Sequence, residues 1–200
     1  MTRLHLVVGP GRVEEFLQIF RTGVGVAVRV GCSLGDLLCR QFRLDESYVE
    51  RRITTIFLDG RPVDAVGSER VREGSTLALS AAMPGLAGAI LRRGGALAAM
   101  RSNLARGDGE KSDAPDRDGV ITVKLFNLLA PELAPGFLRR GVLLSAAAAG
   151  EFFRRRPPAF RDGCREILLD GKRVEAAALE GGGWAHPAGP VALSVDVQEA

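Results

Sequence analysis

The chain has 200 residues, of which 46% are hydrophobic, enough for one large or two small domains with a buried core. Its 27 basic and 24 acidic residues leave a net charge of +3, too small a surplus over this length to mark a polyanion binder by charge alone. Three unpatterned cysteines, Cys32, Cys39 and Cys164, exclude a disulfide framework and fit a reducing compartment.

In chain order, Leu4, Leu6 and Val8 alternate and predict a strand. The opening MTRLHLVVGPGRVEE has too short an apolar run for a signal peptide. Val24, Val26, Val28 and Val30 alternate strictly and predict a second strand. Ser33 then precedes Leu34, with Asp36 three positions on. That is a helix start, with a hydroxyl to take the first unpaired N–H groups and an acid at the positive end of the dipole. Leu34, Leu37 and Leu38 predict the helix's buried stripe. ITTIFLDGRPVD (53–64) reads as a strand entering a tight hairpin at Asp59-Gly60, and GSTLALSAA (74–82) as a last strand.

Residues 84–104 form an insert in which Leu86, Ile90, Leu97, Met100 and Leu104 recur at helical spacing. Gly94 and Gly95 fall inside that pattern and predict a kink or break, since glycine costs about 1 kcal/mol against alanine in a helix interior. ARGDGEKSDAPDRDG (105–119) is charged and nearly free of apolar residues, and predicts a flexible linker. ITVKLFN (121–127) opens a second strand series. A helix over 146–156 is ended by Pro157 and Pro158, which cannot continue it. The longest charge-free apolar run, 75–91, is broken by Pro84 and falls short of the roughly 20 residues a spanning helix needs, so no membrane segment is expected.

The two series are copies of one another. IFLDGRPVD (56–64) returns as ILLDGKRVE (167–175), and STLALS (75–80) as GPVALS (189–194). LGDLLCR (34–40) returns as AGEFFRR (149–155), IFRTGV (19–24) as FLRRGV (137–142), and LHL (4–6) as VKL (123–125). Five matches in the same order point to a duplication. Each copy reads strand, strand, helix, strand, short strand, strand, and a sheet curled around one helix gives so small a unit its core.

That order, with these words in it, resembles the β-grasp fold of ubiquitin-like proteins, and most of all its sulfur-carrier branch, the small subunit of molybdopterin synthase and the thiamine-pathway carrier. ITVKLFNLLAPEL (121–133) is similar to the family's opening strand and loop, SLGDLL (33–38) to its helix start, and VREGSTLALSAAMPGLAG (71–88) to its last strand and the approach to its tail. The expected fold is therefore α+β: two tandem β-grasp units, 1–83 and 120–200, each a mixed sheet curled around one helix, joined by the helical insert 84–104 and the flexible linker 105–119. The resemblance implies a carboxyl-terminal Gly-Gly that is adenylated and converted to a thiocarboxylate. Here the second copy ends VALSVDVQEA, and the glycine pair lies inside the chain in ILRRGG (90–95). An internal amide cannot be adenylated, so carrier chemistry would first require cleavage after Gly94 or Gly95.

Other chemistry finds little support. His5 and His186 lie in no metal-ligand spacing with each other or with the cysteines, and no histidine stands near a cysteine in sequence to activate it. Asp59 and Asp170 occupy the same place before a turn glycine, which a turn role explains. The GGGW run beginning at Gly181 lacks the lysine and the strand–helix setting of a phosphate loop. No catalytic, cofactor-binding or metal-binding residue is assigned. Arg51-Arg52, Arg92-Arg93, Arg139-Arg140 and Arg154-Arg155-Arg156 suit phosphates or carboxylates. One tyrosine and one tryptophan leave little stacking surface, which disfavours nucleic acid. Only Lys111, Lys124 and Lys172 among the basic residues are lysines, a bias of GC-rich bacterial genomes.

The expected function is a cytoplasmic, non-catalytic protein-interaction module without a cofactor, and self-association through the long linker is compatible with it. A sulfur carrier released by cleavage, serving molybdenum- or tungsten-cofactor or thiamine synthesis, is the first alternative. A nucleic-acid-binding module is the second. The candidate tail or partner contacts are Arg92, Arg93, Gly94, Gly95, Leu86, Ile90, Leu97 and Met100.

Overall fold

A computed structural model describes residues 1–81, 85–95, 116–180, 183–185 and 189–198. The fold is α+β, with helices packed on mixed β-sheet. The chain divides into two compact units. A central unit holds residues 27–130, and a terminal unit holds 1–26 together with 131–200. The chain passes between them within strand β2 (Val24–Val30) and near the start of helix α5 (Leu129–Arg140).

In the central unit the strands run in the order β4 (Arg61–Pro62), β3 (Thr55–Leu58), β5 (Thr76–Ser80), β6 (Arg117–Phe126) and the second half of β2. β3 pairs antiparallel with β4 and β5, and β5 pairs parallel with β6 from Thr76–Thr122 to Ser80–Phe126. The alternation of the sequence decides which face is buried: Ile56 and Leu58, Leu77 and Leu79, and Ile121, Val123 and Leu125 point to the core. A short helix α2 (Leu34–Asp36) continuing as a π turn (Leu37–Gln41) supplies Leu34, Leu37 and Leu38, each fully buried as expected. Ser33 caps it: its Oγ accepts from the Asp36 N–H at 3.0 Å and donates to the Asp36 carboxylate at 2.7 Å. Helix α3 (Glu46–Arg51) follows.

The terminal unit has the order β7 (Val142–Ser145), β10 (Pro190–Val197), β1 (Thr2–Val8), β8 (Cys164–Leu169), β9 (Lys172–Arg173). β1 lies parallel to β10 and antiparallel to β8, while β10 is antiparallel to β7. Helix α6 (Ala146–Arg154) and helix α7 (Pro158–Asp162) join Phe152, Phe153 and Phe160 to Phe16 in an aromatic core, with ring centroids 5.0 to 6.3 Å apart. Trp184 closes it edge-on to Phe153 at 5.6 Å. Pro157 lies between the two helices and Pro158 opens the second, where its missing N–H is no loss.

The hairpins show how the strands are placed. Asp59 and Gly60 both have positive φ, 52° and 77°, as do Asp170 and Gly171 at 49° and 80°. Both loops are thus two-residue turns that follow the twist of their strands. The Asp59 carboxylate accepts from the Thr76 N–H at 2.6 Å and its own N–H donates to Thr76 O at 2.9 Å. Asp170 makes the same pair of bonds, both at 2.8 Å, to Arg3. β1 therefore holds in the terminal unit the place that β5 holds in the central one, and β10 holds the place of β6. The repeat pairs LHL with VKL and GPVALS with STLALS by sequence, yet the spatial places are interchanged. Two parallel strands of like apolar alternation, both buried, carry nothing in sequence that says which lies beside the hairpin.

Two further differences from expectation appear. Between the first two strands of each copy stands a helix: Arg12–Phe16 as a 3-10 turn leading into α1 (Leu17–Thr22), and α5 with Pro135 inside it. Residues 117–119, at the end of the expected linker, are already strand β6, and 105–115 lie outside the described residues. Of the insert, helix α4 covers Gly85–Leu91, and the rest beyond Gly95 is likewise outside them.

Candidate functional site

The glycine pair carries the sharpest functional question in the sequence. α4 ends at Leu91, and Gly94 turns the chain with φ 61°, a left-handed conformation that suits glycine. The Gly95 N–H donates to Arg92 O at 3.2 Å. A Cβ on Gly95 would meet the carbonyl oxygens of Ala89 and Arg92 at 3.2 Å, a tight contact that the turn would have to give way slightly to admit. Arg92 is exposed and Ile90 half-buried. Arg93 is fastened down. Its N–H donates to Thr54 O at 2.8 Å, and its Nη1 donates to Val49 O at 3.1 Å and Ile53 O at 3.5 Å, at the C-terminal end of α3. A cation there complements the negative end of the helix. Burial lowers the pKa of the Arg93 guanidinium, against the opposing pull of Asp64 and Glu50. The structure thus brings Arg93, Gly94 and Gly95 together as a docked helix terminus. Leu97 and Met100 lie outside the described residues, as does His186, and for Leu86 only the backbone is described.

The three cysteines are free. Burial pushes each thiol above its ordinary pKa, with nearby carboxylates adding to the effect at Cys32 and Cys39. At Cys164 Arg12 opposes the rise. Such thiols stay protonated at neutral pH and are poor nucleophiles. Among the described residues, no group of three His, Cys, Asp or Glu side chains is placed to hold a metal ion. Nor, among them, is any helix long and apolar enough to cross a membrane. The arginine runs are largely engaged locally: Arg154 and Arg155 pair with Glu151, and Arg156 lies over the Phe152 ring at 4.4 Å with Glu15 at 3.9 Å.

A second place emerges only in three dimensions. On the outward face of the terminal unit's sheet, His5 of β1 stands beside Ser194 of β10, Nδ1 to Oγ 2.9 Å. Asp196, two residues along β10, lies 3.8 Å from His5 Nε2. Gly141, just before β7, leaves room beside them. A depression of about 620 Å³ results, lined also by Arg3, Arg140, Leu168 and Asp170. Its cause is local: β1 and β10 point Leu4, Leu6, Leu193 and Val195 inward, so the intervening His5 and Ser194 must face out.

Serine, histidine and aspartate together invite a hydrolytic reading, but the arrangement lacks its main parts. The Asp196 contact is too long for a hydrogen bond. Strands β1 and β10 each have a hydrogen-bonded neighbour on both sides, which commits their N–H groups to the ladders and not to an oxyanion. What the depression offers is hydrogen bonding from His5 and Ser194 on an open face, with charges of both signs around it. In sequence His5 invites only the metal-ligand question. Its partner Ser194 is 189 positions away, and the sole available signal is that both fall on the polar phase of alternating strands. Comparison with protein-family models, curated proteins and solved structures gives no match.

Proposed function

We propose that the protein is a non-catalytic protein-interaction module built from two β-grasp units related to the sulfur carriers, acting in the cytoplasm without a cofactor. Support for the fold comes from the strand order β2-β6-β5-β3-β4 around the Ser33-capped helix, with its parallel pair at the centre, and from the same arrangement of places in the terminal unit. The observation that carries the function is the clamp on Arg93. A carrier tail must thread into an enzyme, whereas here Arg93, directly before the glycine pair, is tied to α3 and Thr54 through side chain and main chain. The segment serves the body of the unit, and the exposed sheet face of the terminal unit is left to meet a partner.

The test is the native mass of the protein isolated from its own cells, with and without Leu168→Arg on that face. A stoichiometric complex with a second protein that the substitution dissolves is the expected result. A lone chain in both cases, or turnover of a substrate by the purified protein, contradicts the proposal. A species ending at Gly95 and heavier by an oxygen-to-sulfur exchange would install the carrier reading in its place.

A further inference from the structure

We draw no further inference here: the strongest candidate, the depression around His5 and Ser194 on the outward face of the terminal unit's sheet, is lined by charges of both signs that select no class of ligand, its Arg140 guanidinium is held by Gly136 O over the Phe137 ring, and nothing in the structure shows what covers it.

Discussion

The hairpins at Asp59-Gly60 and Asp170-Gly171 are one device serving two different strands. In the central unit the aspartate pins β5, which follows it by seventeen to twenty-one residues; in the terminal unit it pins β1, at the far end of the chain. The places are the same, and only the chain filling them differs. A sheet place is defined by its ladder partners and its buried alternation, so any strand with the right period can take it. The consequence is connectivity: residues 1–26 are completed by 131–200, and residues 27–95 by β6.

Substitutions can break this equivalence or sharpen it. The largest expected effect falls on the aromatic core, which belongs to the terminal unit alone. Phe153→Ala should cost about 3–5 kcal/mol, read by denaturant unfolding, and hydrogen exchange should show the loss first in β1, β8 and β10. Next come the turn aspartates. Replacing each by glycine keeps the positive φ and removes only the carboxylate, at a cost of about 1–2 kcal/mol. Asp59→Gly should cost more than Asp170→Gly, because Asp59 also accepts from Ser75 Oγ at 3.0 Å. Exchange should rise in β5 for the first and in β1 for the second, and a rise in the same strand for both would break the comparison. The serine caps are closer in size. Ser33 and Ser145 each accept from an N–H three residues on, at 3.0 and 3.1 Å, and alanine should cost about 1 kcal/mol at either. Ser33 is expected to lead, through its extra bond to Asp36.

Gly94→Ala should cost roughly 1 kcal/mol through its left-handed backbone, and Arg93→Ala should exceed it by releasing the end of α3. The smallest effect concerns pH. The folded state holds its thiol protons more tightly than the unfolded chain does. Stability from these groups is therefore full below the ordinary thiol pKa and is lost as pH rises past it. Alkylation of Cys39, the test of this, should stay slow at neutral pH and accelerate only in alkaline buffer.

The valine alternation of β2, the Ser33 cap, both turn aspartates and the proline stop after α6 are legible in the amino-acid sequence, because the physics of each lies within a few residues. The break at Gly94 is legible for the same reason. The helix over 12–22 is harder to read although Phe16, Ile19 and Phe20 mark its buried side, because the strands around it form the stronger pattern. Helix α5 is hidden by Pro131 and Pro135, which read as loop residues; burial of Ala134, Phe137 and Leu138 overrides them. The pairing of β1 with β10 and β8, and with it the His5–Ser194 site, joins opposite ends of the chain, and no local signal reports it.

The exchange of strands between the two halves of the chain is the central claim, and cutting the chain tests it most directly. A protease site placed between residues 105 and 115 separates β1 to α4 from β6 to β10 without touching either unit's described elements. After cleavage, native mass spectrometry should find both fragments in one particle of unchanged total mass, and neither fragment should fold when purified alone. Two fragments that part under native conditions, each with its own cooperative thermal transition, would contradict the account.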